Sequence, residues 1–223
     1  MPLDPRKQQK KRERQAAKRK SKQQQLAKEK HAGLAERLTS AAKYPVLHSW
    51  VTTDVREQGL GWVCLSRELP NSLVAFAVFL VDRYCLGVKD AYADIAGRFT
   101  YESKIVRKMR SDFESENLPP AAVRKLIEGA VAYARALGLH PHPDYQKAKH
   151  IFGDINAAEC ADEFEFGKDG KPYFIAGPHE TPERCQQIVK TLEESCGPGG
   201  FEYLLPRSPD TEVLPPSLSW NET

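Results

Sequence analysis

The sequence predicts an α+β protein in which an antiparallel sheet carries packed helices and is preceded by a basic, helical N-terminal arm. Three observations support this. Leu73–Asp82 reads Leu-Val-Ala-Phe-Ala-Val-Phe-Leu-Val-Asp, ten residues with a single charge at the end. Both alternating faces of that run are apolar, as in a central strand covered on both sides, and the run is too short to cross a bilayer. Second, Val123, Leu126, Ile127, Ala130, Val131, Ala134 and Leu137 keep helical spacing behind Pro119-Pro120. Third, residues 1–43 hold 14 Lys and Arg against 4 Asp and Glu, a net of +10, while the rest of the chain holds 19 against 26, a net of −7. A split of that kind separates an arm with an anionic partner from a body that carries its own solubility.

The 223 residues suffice for one sizeable core or a core with a small appendage. The expected division is an arm over 1–43, a globular body over 44–205 and a flexible tail over 206–223 that holds four prolines. The five cysteines are widely spread and form no Cys-x-x-Cys, so they are expected as reduced thiols rather than a disulfide framework or a zinc ribbon. No apolar segment follows the N-terminal charges, so a secretory signal is not expected, and the compartment is expected to be the cytoplasm. In a eukaryote, Lys18-Arg19-Lys20-Ser21-Lys22 would pass as a nuclear signal.

The arm packs ten basic residues into 6–22 with Gln and Ala as spacers. Those residue types favour helix, but no apolar face exists to bury, and like charges at helical spacing oppose the helix until a polyanion relieves them. Lys10, Lys11, Arg12, Arg14, Lys18, Arg19, Lys20 and Lys22 are therefore the candidate nucleic-acid-binding residues, through phosphates and without base specificity. The first aromatic residue is Tyr44, so stacking by the arm is not expected. A membrane partner is not expected either, since no face carries Trp, Phe and Leu opposite the charges. From Leu26 the pattern changes: Leu26, Leu34, Leu38 and Ala41 or Ala42 form a stripe that would dock on the body, with Gly33 as a kink.

In the first part of the body, 44–54 reads as a strand with β-branched and aromatic residues alternating with polar ones, 62–69 as a second, and the turn Pro70-Asn71-Ser72 leads from it into Leu73–Asp82, making a three-stranded meander. A helix is expected over 89–97. Another is expected over 102–116 with Ile105, Met109 and Phe113 on one face, then the 119–137 helix stopped by Gly138, then a short helix after Pro143-Asp144. In the second part, Asp169-Gly170 between aromatic-rich runs predicts a hairpin of 163–166 with 173–176. Thr181-Pro182-Glu183 supplies an N-cap, a first-turn proline and an early carboxylate for a helix ending near Cys196. A last strand over 201–205 completes a ββαβ unit. The lysines at the hairpin tip, Lys168 and Lys171, are expected in solvent with the neighbouring aromatics alternating into the core.

Three constellations bear on chemistry. Asp54, Asp82, Asp90 and Asp94 lie after strands or four apart on an expected helix face. Ribonuclease-H-like nucleases also hold two Mg²⁺ ions with carboxylates on a strand and a nearby helix, so a metal-dependent nuclease is the enzymatic alternative. The bland roles for the same residues are turn capping and helix N-terminal charge. His140, His142 and Asp144 would share a side of an extended segment as weak metal candidates, although their spacing is not that of a structural zinc site. Cys64 and Cys85 lie in apolar surroundings without a protease signature, and neither a P-loop nor Gly-x-Ser-x-Gly is present. The leading expectation is a non-enzymatic, cofactor-free protein whose arm contacts RNA or DNA phosphates while the body supplies specificity or binds a protein partner in a ribonucleoprotein or DNA complex. A third reading is a protein-interaction module whose arm serves targeting or solubility.

Overall fold

The computed structural model describes residues 14, 33–177 and 180–205. Of the arm's candidate residues, only Arg14 falls within these, exposed in helical backbone; Lys10, Lys11, Arg12, Lys18, Arg19, Lys20 and Lys22 lie outside the described residues, as do Leu26 and the 206–223 tail.

The expected stripe at the end of the arm docks as its spacing implies. Helix α1, Leu34–Ala41, buries Leu38 and Ala41 against the body, and Gly33 is the residue that starts it. Strands β1 (Val46–Thr52), β2 (Leu60–Leu69), β3 (Leu73–Asp82) and β4 (Gly87–Gly97) then form an antiparallel meander. One turn of helix, α2 (Asp54–Glu57), lies between β1 and β2. The chain next crosses one face of the sheet as α3, continuous over 98–112, and delivers β5 (Ser115–Asn117) to the far edge beside β1. The strand order is β4-β3-β2-β1-β5, so β2, not β3, is central.

Strand β3 is nonetheless covered on both sides. Ala75, Ala77, Phe79 and Val81 face α4 (Pro120–Ala136), α5 (Tyr145–Ala148) and α1. Val74, Phe76 and Val78 face α3 through Tyr101, Val106 and Met109. A strand buried on both faces has no polar side to show, which is why its sequence reads as an unbroken apolar run.

Three expectations need correction. The helix expected over 102–116 runs over 98–112 instead; Phe113 is already extended, and Ser115–Asn117 is strand β5 because it pairs with β1. Residues 89–97 are strand β4, not a helix. Ala91, Ala93 and Ile95 recur with period two and pack with Val88 on the α4 side, and that pairing overrides the helix propensity of alanine. A bulge between Leu80 and Val81 leaves Lys89 as the extra residue and hides the alternation. The ββαβ unit is a βαβ unit: β6 (Tyr173–Ile175) and β7 (Glu202–Leu204) pair in parallel across α6 (Pro182–Cys196), in a separate two-stranded sheet. The Asp-Gly turn does form, with Lys168 N donating to Lys171 O at 2.7 Å and Lys171 N to Lys168 O at 3.0 Å. Residues 163–166 supply no strand beside it. Phe166 instead stacks on Tyr133 and lies over Gly129 of α4. Gly167 N and Tyr173 N donate to Arg83 O and Tyr84 O of the β3–β4 turn. Thr181 caps α6 as expected, its Oγ1 accepting from Arg184 N.

Candidate nucleic-acid interface

The body's own basic element is α3. Over 98–112 it carries Arg98, Lys104, Arg107, Lys108 and Arg110 against Glu102 and Asp112. Arg98 pairs with Glu68 and Glu102, whereas among the described residues no ion pair engages Lys104, Arg107, Lys108 or Arg110. All four are exposed. A shallow hollow of about 490 Å³ runs along the helix, lined by Phe99, Glu102, Ser103, Val106, Arg107 and Arg110.

What fixes α3 to the sheet is Tyr101. Its ring is fully buried against Phe76 at 5.1 Å and stacks on His48 at 5.6 Å. Its hydroxyl donates to Ser66 Oγ at 3.0 Å and lies 3.0 Å from His48 Nδ1. With the hydroxyl hydrogen given to Ser66, the tyrosine oxygen accepts from Nδ1–H of a neutral His48. Burial holds His48 below its ordinary pKa, Glu102 pulls the other way, and Arg110 and Arg98 push it down again. The same arginines that face solvent are thus felt beneath the helix. Burial also pushes the Cys64 thiol, near the Tyr101 hydroxyl, up to about 12, which makes it an inert core group.

The candidate carboxylates serve local geometry. Asp82 is 6% exposed, and its Oδ1 accepts from Tyr84 N at 2.9 Å and Cys85 N at 3.0 Å, shaping the β3–β4 turn. Burial pushes its carboxyl up to about 6, against the pull of Lys89 and of the backbone N–H groups of Cys85, Leu86 and Tyr84. Asp54 accepts from Gln58 Nε2 at 2.8 Å on the single turn α2. Asp90 and Asp94 share a strand rather than a helix face, opposite Leu80 and Phe76, and four strand residues separate them by about 13 Å. That spacing is far beyond what a pair of ions about 3.5–4 Å apart requires of its shared ligands. Among the described residues, no three His, Cys, Asp or Glu side chains come together in a metal-holding arrangement.

The three histidines of the 140–150 stretch go to three places. His140 borders a hollow beside α6 with Arg184 and Gln187. His142 Nδ1 accepts from Asp144 N at 3.3 Å and sits 3.8 Å from both Asp90 and Asp144 carboxylates. His150 Nδ1 lies 3.0 Å from Thr39 Oγ1 of α1. Asp144 is held below the usual carboxylate range by its hydrogen bond to Lys147. The structure therefore brings His142 near Asp144 and, separately, near Asp90, and places His140 elsewhere.

At the 167–171 turn, Lys168 Nζ lies 4.6 Å from the Tyr173 ring centre and Lys171 Nζ donates to Gly199 O at 3.0 Å. Phe174 is fully buried, as the alternation implied.

Sequence reasoning takes 102–116 only for its apolar face and passes over the cations of α3. The signal is present: Arg107-Lys108-x-Arg110 is visible in the chain, but only the fold shows that this face is left in solvent. No helix among the described residues is long and apolar enough to cross a membrane. Comparisons with family models, curated proteins and solved structures returned no match.

Proposed function

We propose that this chain is a nucleic-acid-associated protein that holds RNA or DNA by its phosphates, with the N-terminal arm as the electrostatic anchor and α3 as the body's contact. The observation that carries the reading is charge segregation: a net of +10 in residues 1–43 against −7 in the remainder. A polyanion is the partner whose binding releases counterions from so dense a run of cations. The cations along α3 extend that chemistry to the body.

The arm joins the body through α1, which packs on the face of the sheet opposite α3. The 32 residues ahead of Gly33 could reach up to about 105 Å fully extended, so distance does not prevent arm and α3 from engaging one strand.

The test is binding of labelled RNA and duplex DNA across a salt series, comparing the full chain with one starting at Leu26. The full chain is expected to bind with a steep salt slope, and the shortened chain to lose most of the affinity. If the full chain fails to bind either nucleic acid at low salt, the reading is wrong.

A further inference from the structure

Phe99 is the most exposed large apolar residue of the described body, at 84%, on a helix that buries Tyr101, Val106 and Met109. Its position follows from the helix geometry. Tyr101 and Val106 are five residues apart, and a regular α-helix would set them about 140° apart around its axis. The π-helical turn Glu102–Val106 takes up the extra residue, so both reach the sheet. Phe99, Ser103 and Arg107 are left on the solvent side, with Arg110 flanking them. Phe99 and Arg107 are eight residues apart, about 12 Å along the axis.

Resting on the proposed function, we infer that α3 binds single-stranded nucleic acid, stacking an unpaired base on Phe99 and holding adjoining phosphates on Arg107 and Arg110. Charge complementarity selects this occupant: an exposed ring near guanidinium groups that no carboxylate among the described residues engages matches a chain that offers base faces and phosphates alternately. A duplex keeps its base faces stacked inside and can use only the arginines. Among the described residues, the other exposed aromatic on this side of the sheet is Tyr92, 54% exposed and packed on Phe76, but its hydroxyl donates to Asp94 Oδ2 at 3.3 Å. That carboxylate repels phosphate, so the backbone path is assigned to the Arg107–Arg110 side.

The experiment uses the full chain and three variants, F99A, F99W and R107Q/R110Q, with a labelled oligo-uridine and a duplex DNA of equal length. F99A should weaken oligo-uridine binding roughly 5- to 150-fold, the range of one missing base–aromatic stack, with the salt slope unchanged and duplex binding little altered. F99W should keep the affinity, and its added indole emission should be quenched by the oligonucleotide. R107Q/R110Q should reduce the salt slope of single-strand binding by about 1.4, at about 0.7 for each phosphate no longer neutralised. Since these side chains are exposed, circular dichroism should show all variants folded. If F99A binds oligo-uridine as the parent does while the parent still binds through its arm, the inference falls and the proposed function stands. If the parent binds neither nucleic acid, both fall. If F99A instead changes the sedimentation coefficient of the free protein, Phe99 belongs to a contact between copies and the inference is overturned.

Discussion

Replacing Asp82 by Asn should stabilise the protein above pH 6 and leave its stability nearly unchanged at pH 4. Asp82 is buried at the end of β3, with its Oδ1 accepting from Tyr84 N and Cys85 N. Asparagine presents the same acceptor without the charge. Burial raises the folded-state pKa to about 6 from the ordinary 3.8. Below 3.8 the carboxyl is protonated in both folded and unfolded chains and adds no penalty. Between 3.8 and about 6 the folded chain retains a proton that the unfolded chain has released, so stability falls as pH rises. Above about 6 the loss is complete, and at 1.36 kcal/mol per pH unit it amounts to about 3 kcal/mol. The assay is urea unfolding of the parent and D82N at half-unit steps from pH 4 to pH 8, comparing the difference in unfolding free energy. The expected curve rises from near zero to about 3 kcal/mol and levels off. A flat difference, or one that favours the parent at neutral pH, would refute the argument that desolvation governs this group. The latter would show that the charge is stabilised by Lys89 and the turn's N–H groups more than it suffers from burial.

Two other substitutions probe the frame that holds the basic surface. Arg67, 4% exposed, donates to Ile151 O at 2.9 Å, Tyr44 O at 2.7 Å and Phe152 O at 2.7 Å, so R67A takes the guanidinium from Ile151 O and Tyr44 O, while Phe152 O keeps the bond it accepts from Ile155 N. It should cost about 3 kcal/mol in urea unfolding, and a loss under about 1 kcal/mol would mean that water replaces the guanidinium freely. Y101F removes the hydroxyl that joins Ser66 to His48 and should cost about 1–2 kcal/mol, with the largest amide shifts in α3 and at His48 in NMR spectra. Unshifted α3 amides would show that ring packing alone seats the helix.

The parts of the fold legible in the sequence are those where one physical signal acts alone. Leu73–Asp82 matches its strand because burial on both faces leaves no polar position to confuse the pattern. Pro120–Ala136 and Pro182–Cys196 are marked by helical apolar spacing together with proline near the start. Strand β4 escapes a local reading because alanine prefers helix and a bulge at Lys89 breaks the alternation; cross-strand pairing with β3 decides the matter. The expected hairpin fails because an Asp-Gly turn specifies its own geometry but not what the flanking residues pair with. Here those partners are the carbonyls of Arg83 and Tyr84, more than eighty residues earlier in the chain.

The candidate site divides the same way. Composition alone determined the charge split between arm and body, because charge is a sum over residues and needs no coordinates. The alternation over β1 and the capping of α6 were likewise local matters. Only the tertiary structure decided that Asp90 and Asp94 lie along a strand, that His140 and His142 diverge, and that Asp82 is a buried turn residue whose charge is costly. It also decided which face of α3 remains in water. Tyr101, Val106 and Met109 meet the sheet through a π-helical turn that no local spacing announces, and the burial of those three is what leaves Phe99 and Arg107 exposed. Exposure is a property of what packs opposite, and most of what packs opposite α3 comes from β1, β2 and β3, outside the reach of any local spacing.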